Sequence, residues 1–119
     1  MTPPETHGTG EPVDLGAAAG AGPLWGMASH DLNATLLAWP AGEAVAEHVN
    51  AERDVLVVVL EGTATVTIDA VAHELRAPAT ILIPRGTRRA IAAGADGVRY
   101  LSVHRRRGPL QIAPLPADG

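Results

Sequence analysis

Few side chains in this 119-residue chain can do chemistry. It has five histidines, one tyrosine, serines at Ser29 and Ser102, no cysteine and no lysine, so all nine basic residues are arginine. Without cysteine there are no disulfides, thiolate metal sites or thiol nucleophiles. Without lysine there is no Schiff-base chemistry. Neither serine sits in a Gly-x-Ser-x-Gly turn. Imidazole, guanidinium, phenol and carboxylate remain. In "PAGEAVAEHVNAERDVLVVVLEG" (40–62), His48 alternates with Ala46 and Asn50, which places the three on one face of a strand. An imidazole titrates near neutrality and serves as a general base or as a hydrogen-bond partner. In "VRYLSVH" (98–104), Tyr100, Ser102 and His104 share a face, opposite Leu101 and Val103. His7, His30 and His73 are expected in the N-terminal segment, a surface loop and an outer face respectively.

These groups need a scaffold, and the composition favours strands. Apolar residues make up 46% of the chain, yet there is no Phe and aromatics are 3%, so Val, Leu, Ile and Ala must fill the core. Short apolar runs at 33–39, 44–50, 55–60, 63–69, 79–84 and 98–104 are separated by Gly, Pro or polar joins. Strands at this spacing predict an all-β sandwich or barrel, with turns at "EG" (61–62) and "GADG" (94–97). The stretch "GEAVAEHVNAER" contains good helix formers, but a glycine opens it and a β-type run follows it, so it is read as strand. Residues 1–23 and 113–119, rich in Gly, Ala and Pro, are expected to be flexible around a barrel domain at 24–112. The N-terminus lacks the basic start and apolar run of a secretory signal. The longest apolar run, Val55 to Leu60, is too short to span a bilayer. A cytoplasmic protein with no membrane partner is expected.

Charge is segregated along the chain. Residues 1–75 carry eleven acidic side chains and one Arg, whereas residues 76–107 carry eight Arg and one Asp. Arginine-rich segments such as "HRRRG" (104–108) bind phosphate backbones in some proteins. Here there is no basic tail and there are few aromatics for base stacking. The reading is that the two halves fold onto each other and pair, with no nucleic-acid partner.

Two spaced motifs resemble those of single-domain cupins, over about residues 33–104. The family's first motif is Gly, five residues, His-x-His, three or four residues, Glu, six residues, Gly; Gly42, His48 and Gly62 match it, with Asn50 at the second His and Val55 at the Glu. Its second motif is Gly, five residues, Pro-x-Gly, two residues, His, three residues, Asn; Pro84 and Gly86 match it, while Pro78, Arg89 and Ala93 replace the Gly, the His and the Asn. The resemblance implies a jelly-roll β-barrel, a double-stranded β-helix, in which the turn-setting residues survive and the three-His, one-Glu metal site is degenerate. It also implies that Arg89 points into the barrel with His48 and Asn50. A guanidinium there repels a divalent cation and suits a carboxylate, phosphate or enolate oxygen.

Three readings follow. The first is a metal-free or metal-poor barrel that binds a small anionic or carbonyl-bearing molecule through His48, Asn50, Arg89, Tyr100 and His104, with Trp25 and Trp39 at its rim. The second is a metal-independent isomerase or cyclase with His48 as base. The third is a rebuilt site for a divalent transition metal, from His48, His104 and an acidic residue such as Asp54. A homodimer is also expected, built on an open edge at 98–104 or on "PLQI" (109–112).

Overall fold

A computed structural model of the protein describes residues 5–7 and 10–106; the side chains of 5–7 and 46–48 lie outside that description. Within it the aliphatic runs form β1 (Glu5–His7), β2 (Gly22–Ala28), β3 (Leu32–Trp39), β4 (Ala44–Val49), β5 (Val55–Ile68), β6 (Val71–Arg76), β7 (Ala79–Ile83) and β8 (Arg88–Arg105). A 3-10 turn at Leu15–Ala17 precedes β2. No helix among the described residues is long and apolar enough to cross a membrane.

β5 and β8 organise the rest. They run antiparallel from the pair Val55 and His104 to the pair Ile68 and Arg89, with register shifts between 59 and 64. Bulges of this kind bend a strand without ending it. One layer contains β1, β2, β3, the second half of β8, the first half of β5 and β7; the other contains β4, the first half of β8, the second half of β5 and β6. The result is the expected all-β jelly-roll barrel, with two corrections. "EG" and "GADG" are not chain reversals; both are bends inside continuous strands of 14 and 18 residues. Residues 98–104 are not an open edge either, because they lie between β3 and β5. The "PLQI" segment and the C-terminal tail fall outside the described residues.

The period-two pattern selects the core. Val55, Val57, Val59, Ile83, Val98 and Tyr100 from one layer pack with Ala64, Val66, Ile91 and Ala93 from the other. Leu56, Leu60 and Leu82, at the alternate positions, stay exposed on the outer face.

Segments crossing between the layers define two ends. At one end, residues 50–54 lead from β4 to β5 and residues 84–87 from β7 to β8. The Gly86 N–H donates to the Asn50 carbonyl at 2.7 Å, and the Arg85 N–H to Asp54 Oδ1 at 2.9 Å. At the other end, the bends of β5 and β8 meet the crossings after β3 and β6. There the Ala77 N–H donates to the Gly62 carbonyl at 3.0 Å and the Ala93 N–H to the Glu43 carbonyl at 2.8 Å. We call the first the mouth and the second the corner end.

β2 begins at Gly22, two residues before the expected domain boundary, and β1, within the segment expected to be flexible, pairs parallel to β2 in the same sheet. Arg99 Nη2 donates to the carbonyls of Leu15 and Ala18 and so ties the 3-10 turn to β8. Arg106 Nη1 donates to the Ser29 carbonyl at 3.0 Å. These arginines do reach the acidic half of the chain, but they bind its backbone oxygens rather than its carboxylates. The Arg53–Glu52 ion pair at 3.8 Å is local in sequence.

Candidate functional site

Arg89 is a charged group on the inner wall. It is two and four residues from the core residues Ile91 and Ala93, so strand alternation turns it to the same face. It pairs in register with Ile68 of β5 and with His48 of β4. The residue is half-buried and its Nη1 is enclosed. Burial disfavours the charged guanidinium and lowers its pKa from the ordinary value, and the nearby Tyr100 partly offsets this.

Tyr100, Ser102 and His104 pair with Val59, Val57 and Val55. Directly opposed residues of an antiparallel pair share a face, so all three belong to the inner wall. Tyr100 is 3% exposed, and its hydroxyl oxygen accepts a hydrogen bond from Trp39 Nε1 at 3.2 Å. Desolvation raises the phenol's pKa, while the Trp39 bond and the Arg89 charge pull it down. His104, at the mouth, hydrogen-bonds through Nδ1 to the Arg105 carbonyl at 3.0 Å.

The backbone of His48 lies directly opposite Arg89; its side chain falls outside the described residues. Asn50 serves the loop. Its Oδ1 accepts from the N–H groups of Glu52 at 3.0 Å and Arg53 at 3.2 Å, an Asx-type turn. Asp54 is exposed and its Oδ1 holds the 84–87 crossing, as above.

The usual cupin metal set does not fit this chain. Position 55 is a valine packed in the core, 2% exposed, and position 89 is a guanidinium. Among the described residues no three His, Cys, Asp or Glu side chains come together as a metal-holding group.

Two residues take unexpected places. Trp39, expected at a rim, packs against the core with its indole N–H on Tyr100. Its spacing of two from Leu37 gave the inward parity, but the bond to Tyr100 depends on the β3–β8 register, which spacing does not provide. His73, expected on the outer face, is half-buried opposite the core residue Val66. Its spacing of two from Leu75, another core-facing residue, was the available signal. A separate open groove of about 250 Å³ lies at the corner end, lined by Trp39, Glu61, Asp96 and Arg99 among others, away from Arg89.

No known family description matches the chain, and no curated protein does. Solved structures do. A Schizosaccharomyces pombe cupin domain aligns at 22% identity over 65% of this chain and 57% of that one, with a TM-score of 0.61. The chain thus spans little more than half of that relative. A cupin superfamily protein from Desulfitobacterium hafniense aligns at 25% identity over 67% and 72%, with a TM-score of 0.59. An RmlC-like cupin from Shewanella frigidimarina aligns at 18% over 71% and 75%, with a TM-score of 0.62.

Proposed function

Taking the chain as a small single-domain protein of the cupin fold, we propose that its barrel binds a small anionic or carbonyl-bearing molecule at Arg89. The supporting observation is the placement of that guanidinium: half-buried, on an inner wall of Val, Ile and Ala, with Tyr100 close enough to feel its charge. A guanidinium on that wall can hold an oxyanion arriving from the mouth by a two-pronged hydrogen bond. His48, whose backbone lies opposite Arg89 in register, is the second proposed contact. His104 offers a third at the mouth. Asn50 contributes through its amide nitrogen, since its oxygen is engaged in the loop.

The test is native mass spectrometry of the untagged protein, followed by calorimetric titration with whatever co-purifies. Arg89→Gln is expected to lose binding by about 10- to 100-fold, the range for hydrogen bonds to charged groups, with its unfolding midpoint retained. Equal affinity in a folded Arg89→Gln would sink the proposal, as would stoichiometric metal in protein never exposed to a metal column. The homodimer belongs to the same proposal; light scattering that finds a monomer at micromolar concentration would remove it.

A further inference from the structure

The layer β3–β8–β5–β7 has an outer face whose middle carries no charge. Ala34 pairs with Val103, Val103 with Leu56 and Leu56 with Leu82, one row across four strands. The next row is Leu36, Leu101, Val58 and Thr80. Both rows alternate with core residues and so point outward. Leu56 is 38% exposed and Leu82 is 54% exposed. Over β3 the chain closes this face itself. Leu36 is 0% exposed although it stands outside the inner core cluster, and Arg99, two residues from Leu101 on β8, holds the Leu15 and Ala18 carbonyls there. Over β5 and β7 the face stays open, and contiguous exposed apolar surface marks a contact site.

The charges around the face select its occupant. Its mouth end carries Arg85, Arg105 and Arg106 against Asp31 and Asp54. Its corner end carries Asp14, Glu61 and Asp96 against Arg99, which is engaged with backbone oxygens. One end is net positive and the other net negative, so the face is complementary to itself. We propose that the protein pairs with a second copy through this face, stacked about a two-fold axis that lies between the sheets and runs across the strands. That axis sets apolar rows on apolar rows and the mouth end of each copy over the corner end of the other. An axis along the strands would set arginine over arginine. Glu61 then lies over the mouth end of β5 of the second copy, one strand spacing, about 4.8 Å, from the line of β8 that ends in Arg105. The proposal rests on the homodimer reading above for the existence of a dimer and adds the face that makes it.

Sedimentation equilibrium of the full chain reads the dissociation constant. Leu56→Asp and Leu82→Asp are each expected to raise it by about 100-fold or more, since each sets an unpaired carboxylate in a desolvated face. Val71→Asp, at a residue 57% exposed on β6 in the other layer, is expected to leave it unchanged. Arg105→Glu and Glu61→Arg should each raise it by about tenfold, and the double variant should regain most of that loss. These two keep the apolar rows intact, so they decide the matter if circular dichroism shows the Asp variants unfolded. Below the dissociation constant Leu82 faces water, so shortening it alters association and not the folding of the protomer. The chain has no cysteine, so Leu82→Cys reports the cover directly: maleimide labelling is expected to be slow above the dissociation constant and fast below it. A wild-type monomer at micromolar concentration removes the dimer reading and this face with it. A wild-type dimer that a folded Leu82→Asp leaves intact overturns the face alone. Absence of rescue in the double variant overturns the two-fold arrangement. Slow labelling at both concentrations assigns the cover to residues 107–119 of the same chain and overturns the proposal.

Discussion

Replacing Gly62 with alanine is expected to destabilise the protein by about 2–5 kcal/mol, as the sum of a left-handed backbone penalty of about 1–2 kcal/mol and an overpacking penalty of about 1–3 kcal/mol. Gly62 has φ +80° and sits where β5 bends. A Cβ there would lie 2.1 Å from the Gly97 carbonyl oxygen and 2.9 Å from its carbon. Those are backbone atoms of the matching bend in β8, so no rotamer change relieves the contact; one strand must leave the other. Gly42 is the control. Its φ is +84°, yet a Cβ there meets nothing within 4 Å. Gly42→Ala therefore bears only the backbone penalty, about 1–2 kcal/mol. Gly94→Ala is intermediate in kind, because its nearest obstacle, 2.0 Å away, is the Thr63 side-chain oxygen, which Thr63→Ala removes. Urea unfolding followed by circular dichroism ranks the three. Equal loss in Gly62→Ala and Gly42→Ala would mean that the two bends do not touch as described.

Gly62 also shows how much the sequence discloses. Strand type was legible in the aliphatic runs, but 55–60 is apolar on both faces, so the sequence alone does not say whether Val55, Val57 and Val59 or Leu56, Val58 and Leu60 face the core. Glycine spacing pointed to the barrel. What "EG" and "GADG" could not disclose is whether the chain reverses or bends, since a turn and a bulge ask for the same residue with positive φ. The distinction lies in the partner strand, and β5 and β8 supply each other's. For the proposed site, motif position and alternation pointed Arg89 and Tyr100 inward, and both lie on the inner wall. The bond between Trp39 and Tyr100 joins residues 61 apart and follows from pairing Leu37 with Tyr100 across β3 and β8; no local pattern specifies that register. Asn50 is the opposite case. Asn followed by polar residues before a strand is a turn signal, and its oxygen serves the loop ahead of the barrel.

Ile83→Ala is expected to cost about 2–5 kcal/mol, the range for removing a large aliphatic side chain from a closed core, whereas Leu82→Ala should stay within about 0.5 kcal/mol of the wild type. The two residues are adjacent on β7 and differ only in face: Ile83 is 1% exposed and Leu82 is 54% exposed. β7 is short, and its described ladder is to β5 alone, so its side-chain anchor bears much of the task of holding it. The Thr80 hydroxyl adds one bond, to the Val57 carbonyl at 2.9 Å. There Ile83 leads directly into Pro84, Arg85 and Gly86, whose N–H groups at 85 and 86 tie the crossing to Asp54 and Asn50. That crossing delivers the chain to Arg89. Loss of the Ile83 anchor should therefore loosen the approach to Arg89 as well as the core. The proposed ligand affinity is expected to fall in Ile83→Ala and to be unchanged in Leu82→Ala, measured well below the variant's unfolding midpoint. Hydrogen exchange separates the two effects. Faster exchange confined to 79–88 marks a local release of the crossing, while uniform acceleration marks global loss of stability. A variant at position 83 as stable as the one at position 82 would show that the inner face of β7 has been assigned to the wrong side.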